Sequence, residues 1–302
     1  MELIKKTKID FIGKRKISFA ISIVISLIGI IGIIQIARGA ANMGIDFSGG
    51  TSVQLKFAQP LPMADARAAL ASNGLKDVEL QEIKEGNKLL VKIRKSAAAV
   101  GKASSAVEDA FHKAFPANTF IVESTTEIGP SIGEKLRKDT LIAVAISLIG
   151  IIIYIAWRFD FKFGIAAAIA TMHDVLAIFA AFFLLNKEVN LLLITAVLTI
   201  AGYSLTDTVV VFDRIRENLH KNMKESPETT FNRSINEVLS RTIITSLTTF
   251  LAAASLFFFG GEVIHDFSFA LLVGVAVGTY SSVFVASPVV VVWENRVKKS
   301  NA

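Results

Sequence analysis

Six stretches of the chain stay apolar for about 20 residues each, the length a helix needs to cross roughly 30 Å of hydrocarbon. They run over residues 17–37, 140–157, 163–185, 189–212, 242–260 and 267–293. This pattern leaves few folding options. Backbone N–H and C=O groups find no water inside a bilayer, so each stretch must close its own hydrogen bonds as a helix. Of the 302 residues, 52% are hydrophobic and 19% charged, which is too apolar both for a water-soluble globule and for disorder. Basic residues precede the first stretch, as in a signal peptide, but its apolar core exceeds the usual h-region of about 7–15 residues, so it reads as a retained anchor.

The net charge of +6 is unevenly placed. Lys5, Lys6, Lys8, Lys14, Arg15 and Lys16 lie before the first span. Arg158 and Lys162 follow the second span, and Arg214, Arg216, Lys221, Lys224 and Arg233 follow the fourth. Arg296, Lys298 and Lys299 follow the sixth. The intervening loops, 186–188 and 261–266, are nearly neutral and acidic. The positive-inside rule then puts both termini in the cytoplasm. The basic balance therefore reports membrane orientation rather than nucleic-acid binding. Trp157 and Trp293 fall at the cytoplasmic span ends, where interfacial aromatics sit.

The chain has no cysteine, which excludes disulfides, thiolate nucleophiles and Cys-based metal centres. His112, His173, His220 and His265 are scattered without metal-ligand spacing, and no nucleotide-binding motif appears. No metal, no cofactor and no enzymatic constellation is expected.

The organisation predicted is a tail (1–16), a first span (17–37), an outward soluble domain (38–139) and a five-helix membrane domain (140–302). Within the soluble segment, 51–57 alternates with Val53, Leu55 and Phe57 inward. Residues 63–71 have helical apolar spacing, and 78–83 and 89–93 alternate around a turn at Glu85–Gly86–Asn87. Residues 97–115 read as a helix through Val100, Val107, Phe111 and Phe115, and 120–123 as a strand. The order βαββαβ predicts an α+β ferredoxin-like domain. A cytoplasmic loop is expected at 213–241. Ser226 as N-cap and Pro227 at the first helical position start a helix in it, with Phe231, Ile235 and Val238 or Leu239 on one face, read as lying against the membrane or as a docking site for a cytoplasmic partner.

Ionisable side chains within a span cost about 2.5–3.5 kcal/mol on insertion scales and mark function. Asp207 lies in the fourth span, sharing a face with Tyr203, Ser204 and Val211. Asp213 reads as a solvated ion pair at the interface beside Arg214 and Arg216. Arg241 opens the fifth span and aligns with a polar stripe of Thr245, Thr248 and Thr249. Arg241 is expected to reach Asp207, balancing ionisation against burial. His173 and Asp174 are adjacent titratable groups in the third span, about 100° apart around the helix, and serve either a proton path or interhelical polar contacts. Gly274 and Gly278 form a GxxxG pair for close helix approach. The segment GIDFSGGT at 44–51 reads as a glycine turn into a strand, without a P-loop ending.

These residues, in this order, resemble the SecF family of protein-export membrane subunits, within the resistance–nodulation–division (RND) superfamily. The resemblance runs through essentially the whole chain. It rests on GIDFSGG (Gly44, Asp46, Phe47, Gly49, Gly50), on His173–Asp174, and on YSLTDTVVVFDRIREN at 203–218. LSRTIITSLTT at 239–249 and SPVVVVWEN at 287–295 add to it. The resemblance implies pairing with SecD into a twelve-span pseudo-symmetric unit that uses the proton motive force. That unit would help draw unfolded secretory polypeptides from the SecYEG translocon, with a YidC-type insertase as a further partner. It also implies Asp207 as the coupling acid and Arg241 as its arginine, with a second acid in SecD.

Two other readings stay open. One is an RND-type proton-driven exporter of small molecules or lipids, which the small outward domain disfavours. The other is a purely structural assembly subunit, for which Asp207→Asn would be harmless.

Overall fold

The computed structural model describes residues 7–75, 78–83, 86–94, 102–221 and 225–300. Lys5, Lys6, Glu85, Val100 and Lys224, named above, lie outside the described residues. The fold is a polytopic helical membrane protein carrying an α+β domain. Six of its helical segments are long and apolar enough to cross a membrane. Two compact units are present: residues 43–142 with 189–191, and the remainder.

The smaller unit begins with one helical turn, α2 (Ile45–Ser48), after the first long helix α1 (Arg15–Ala37). Then follow β1 (Gly50–Phe57), α3 (Met63–Ser72), β2 (Val78–Ile83), β3 (Lys88–Arg94), α4 (Ala103–Ala114) and β4 (Phe120–Ile128). The four strands are ordered β2-β3-β1-β4 and pair antiparallel throughout. That is the ferredoxin-like split βαβ arrangement. β1 and β3 alternate buried and partly open residues, so Val53, Leu55, Phe57, Leu89, Val91 and Ile93 all face one side. They pack on Ala66, Leu70, Val107 and Phe111 of α3 and α4.

β4 is longer than the sequence suggested and open on nearly its whole length. Beyond Val122 it is polar on both faces (Ser124, Thr125, Thr126, Glu127), so it carries no alternation to read. Its pairing with β1 shifts register between Gln54 and Leu55, which leaves Glu123 without a direct partner. The Glu123 side chain turns across the sheet to accept from Lys88 Nζ at 2.7 Å and Gln54 Nε2 at 2.8 Å. The Lys88 hydrogen bond holds the Glu123 carboxyl below its ordinary range.

The larger unit contains α1, α6 (Phe161–Leu184) and most of α7 (Leu191–Lys221). It also contains α8 (Pro227–Phe259), α9 (Glu262–Ser281) and α10 (Ser287–Ser300). A π-helical turn, Ser282–Ala286, joins α9 to α10. The second span lies in α5 (Pro130–Arg158), which starts a full ten residues before the apolar run at 140. The loop expected at 213–241 is largely helical instead. α7 runs on to Lys221, and the helix capped by Ser226 continues without a break into the fifth span. It is therefore not a separate helix lying against the membrane. Ser226 Oγ accepts from Thr229 N at 3.3 Å, and Phe231 and Ile235 are fully buried beside Phe163, Phe212 and Val290.

Several contacts hold α1 in this unit, among them Ser18 and Ser22 on Tyr280 of α9. Gly29 and Gly32 let its backbone meet α6, and a Cβ at Gly29 would stand 2.1 Å from Leu176 O. Ahead of α1, residues 7–12 lie along α8. Asn232 Oδ1 accepts from Phe11 N at 2.9 Å and Ile12 N at 3.0 Å, while its Nδ2 donates to Asp10 at 2.8 Å. Asn236 accepts from Ile9 N and donates to Ile9 O, both at 2.9 Å. Phe11 and Ile12 thereby enter the core. This asparagine clamp is invisible in the tail's own composition, which signals only charge.

Gly29→Leu should force α1 off α6. We expect a loss of about 1–3 kcal/mol, read as a lower melting temperature of the purified protein in detergent. The tail clamp should respond to acid. Hydrogen bonds from Gly13 N and Asn232, in that order, lower the Asp10 carboxyl below 3.8, so its contribution is complete above that value and is lost as pH falls through the lowered one. A fluorophore on Lys8→Cys, in a chain with no other cysteine, should report tail release below about pH 4. With Asn232→Ala added, it should report release at neutral pH.

Candidate functional site

Two carboxylates are buried among the long helices, and hydroxyl groups hold each of them. Asp207 sits on α7, 7% exposed. Its Oδ2 accepts from Ser246 Oγ of α8 at 3.0 Å, and Ser246 Oγ in turn accepts from Thr279 Oγ1 of α9 at 2.7 Å. One acid thus ties three helices together. A hydroxyl neutralises a carboxylate only partly, so the charge on Asp207 remains costly to bury.

Arg241 does not make the direct contact expected of it. Among the described residues, no ion pair within 4.0 Å joins it to Asp207, and its side chain is exposed on α8. It stands close enough for its charge to act on the carboxylate. The threonine stripe is exposed at Thr245 and Thr248 and partly so at Thr249. Thr245 donates to Arg241 O and Thr242 O, Thr248 to Thr245 O at 2.8 Å and Thr249 to Thr245 O at 3.1 Å. Internal bonding to the preceding turn is how hydroxyls are accommodated on a helix face without a partner. Arg241, Thr245 and Thr248 thus form a polar face that is exposed on α8, while Arg241 and Thr245 also act on the Asp207 carboxylate.

Asp174 of α6 is 0% exposed. Its Oδ2 accepts from Ser204 Oγ of α7 in a short hydrogen bond and from Ser281 Oγ of α9 at 2.7 Å. Its Oδ1 lies 3.0 Å from His173 Nδ1. The two neighbours therefore touch, although helical rotation separates their Cβ directions. Ser204 also packs against Gly278, where a Cβ would stand 3.1 Å from the serine Cβ. A Cβ at Gly274 would meet Ile200 at 2.5 Å. The small residues of α9 thus bring it against α7, and Ser281 reaches Asp174 from the last position of α9.

Asp213 pairs loosely with Arg158 at 3.5 Å rather than with its sequence neighbours, since Arg214 turns to Glu217 and Glu237, both at 2.6 Å. The glycine motif occupies the smaller unit. Gly44 N donates to Val189 O at 2.9 Å, and Asp46 Oδ2 accepts from Leu191 N, the first residue of α7, at 3.0 Å. Phe47 is buried. Gly49 takes φ 71° to enter β1, and a Cβ on Gly50 would lie 2.3 Å from Ile93 O. Only glycine fits that approach. Among the described residues, no group of three or more His, Asp or Glu is arranged to hold a metal.

Ser246, Thr279 and Ser281, which complete the two clusters, were not singled out as partners of the acids. Each looks like an ordinary small residue of an apolar span, and only the juxtaposition of helices gives it a role.

Residues 106–296 match the family model of the protein export membrane protein SecD/SecF, C-terminal, and residues 41–61 match the SecD/SecF GG motif. Protein translocase subunit SecF of Thermodesulfovibrio yellowstonii is 52% identical over 292 residues, covering 96% of each chain. Protein translocase subunit SecF of Pseudomonas aeruginosa is 35% identical, covering 97% of this chain and 93% of its own. The crystal structure of SecDF, a translocon-associated membrane protein from Thermus thermophilus, superposes with a TM-score of 0.84 at 35% identity over 98% of this chain. A SecDF structure in a super-membrane-facing form gives 0.74 at 35% identity over 100% of it. The present chain spans 40% of the length of those SecDF chains. By sequence and by fold, the chain belongs to the SecD/SecF family of protein-export membrane proteins, on its SecF side.

Proposed function

We propose that this chain pairs with a SecD-type subunit in the bacterial inner membrane and uses the proton motive force to promote movement of secreted polypeptides out of the SecYEG channel. The observation that carries the reading is Asp207, a buried carboxylate on a spanning helix held only by hydroxyls and standing near an exposed arginine. A buried acid with a permanent cation bonded to it would stay ionised. One held by hydroxyls, with the cation nearby but not bonded to it, can gain and lose a proton as its surroundings change. A proton crossing 100 mV gains about 2.3 kcal/mol, enough to shift a two-state equilibrium by several tens of fold.

The polar face of Arg241, Thr245 and Thr248 needs a polar partner within the membrane. The length of the SecDF chains beyond the part that matches here supports a second, SecD-type half in that role. The basic clusters flanking α1, α5 and α10 support cytoplasmic termini and an outward α+β domain. On that domain β4 lies at the edge of the sheet and is largely exposed, which suits docking of an extended polypeptide, the form a chain leaving a channel has. No catalytic chemistry is assigned to the chain.

Asp207→Asn keeps a hydrogen-bonding side chain of the same size. In cells, with the SecD-type partner still co-purifying, export of a secreted protein should fall to the rate seen when a protonophore collapses the gradient. Normal export with an intact complex would remove the coupling role, leaving a structural subunit.

A further inference from the structure

The second buried acid has no part in the mechanism just described, and its surroundings are more closed than those of Asp207. His173 is 4% exposed, and its Nδ1 lies against Asp174, but its Nε2 is buried with no hydrogen-bond partner. The groups around the pair come from three further helices. α7 contributes Ser204 and, three residues on, Asp207. α9 contributes Ser281 and Tyr280, whose ring centroid is 6.1 Å from that of His173. α1 contributes Ser18 and Ser22, at 3.0 and 3.2 Å from the Tyr280 hydroxyl. Among the described residues, no Lys or Arg nitrogen lies within 4.0 Å of the Asp174 carboxylate.

Two hydroxyl donors and the imidazole Nδ1–H suit an ionised Asp174. An ionised, fully buried carboxylate needs a positive charge beside it, and among the described residues His173 is the titratable group in contact that can supply it. A protonated ring, however, leaves Nε2–H with nothing to bond. The pair is therefore satisfied in charge or in hydrogen bonding, but not in both. That conflict is expected of a site that must release its proton rather than keep it.

We propose that His173 and Asp174 form a second proton-binding site, in which His173 Nε2 takes up and releases the proton and Asp174 passes the change in charge to α7 and α9 through Ser204 and Ser281. On release the Nε2–H bond breaks, its electron pair stays on nitrogen, and the proton passes to a water molecule. Asp174 then carries an uncompensated charge and draws its two serine donors inward. Ser204 and Asp207 share α7, and Ser281 and Thr279 share α9, so both acids pull on the same two helices. The proposal rests on the reading of this chain as proton-driven.

The test is 15N-histidine NMR on the complex with its SecD-type partner in lipid nanodiscs, with the His173 signal assigned by its loss in His173→Gln. The spectrum should show the imidazole passing between its protonated and neutral forms as pH is varied. Asp174→Asn should weaken its proton affinity by about tenfold or more, as removal of an adjacent opposite charge does. Should Asp174→Asn fail to assemble, Ser281→Ala keeps both titratable groups and should still move the midpoint. A ring that stays neutral throughout, or a midpoint indifferent to both substitutions, would overturn the proposal while leaving the role of Asp207 untouched. Conversely, normal export in Asp207→Asn would overturn proton coupling without altering the His173 titration.

Discussion

A carboxylate buried in an apolar span can persist only if neighbouring helices come close enough to bond it, and the helical unit is arranged around that requirement. Hydroxyl groups have short reach, so α7 and α9 must approach almost to backbone contact. Gly274 and Gly278 permit this, with Ile200 and Ser204 occupying the space that side chains would take. Once α9 is that near, Thr279 and Ser281 meet the chain of bonds leading to Asp207 and Asp174. Removing the glycines would thus strand two acids. Lipid offers no hydrophobic drive for helices to associate, so packing and these interhelical bonds must supply the specificity.

The π turn at Ser282–Ala286 belongs to the same constraint. It adds a residue to the helical turn directly after Ser281, and Ser287 Oγ donates to Ser282 O five residues back, at 3.0 Å. A regular helix through this point would place α10 on a different azimuth from α9. With the π turn, Val283, Ala286, Val290 and Val291 reach the cluster of Phe163, Phe212 and Phe231 while Ser281 still points to Asp174. Such turns recur at functional positions because they allow one helix to serve two incompatible faces.

Much of this was legible in the sequence, and the limits of legibility have a physical pattern. The spans follow from apolar run length alone, and the strands β1 and β3 from strict alternation, because in both cases one element's own residues report its environment. β4 was cut short at Glu123 since Thr125–Glu127 face water on both sides and show no period. The helix start at Ser226 was correct in its cap. The break before the fifth span was not, because Glu237, Arg233 and Asn236 look like loop polarity while in the structure they bond to α7, to Glu225 and to the tail. The acids themselves stood out at once. Their partners did not, since a serine in an apolar helix is as compatible with lipid as with a carboxylate. The expected reach of Arg241 to Asp207 is met by its charge rather than by an ion pair, for a related reason. A shared polar stripe places residues on a face, but it does not say whether that face turns toward its own chain or away from it.

The glycine motif gains a physical reason from where α7 begins. The first N–H groups of any helix lack internal acceptors, and a carboxylate there satisfies one of them and complements the helix dipole. Asp46 does this for Leu191. α7 then runs unbroken to Lys221, with Ser204 and Asp207 on the way. Gly49 and Gly50, fixed by φ 71° and by the closeness of Ile93 O, make the link from Asp46 into β1 short and stiff.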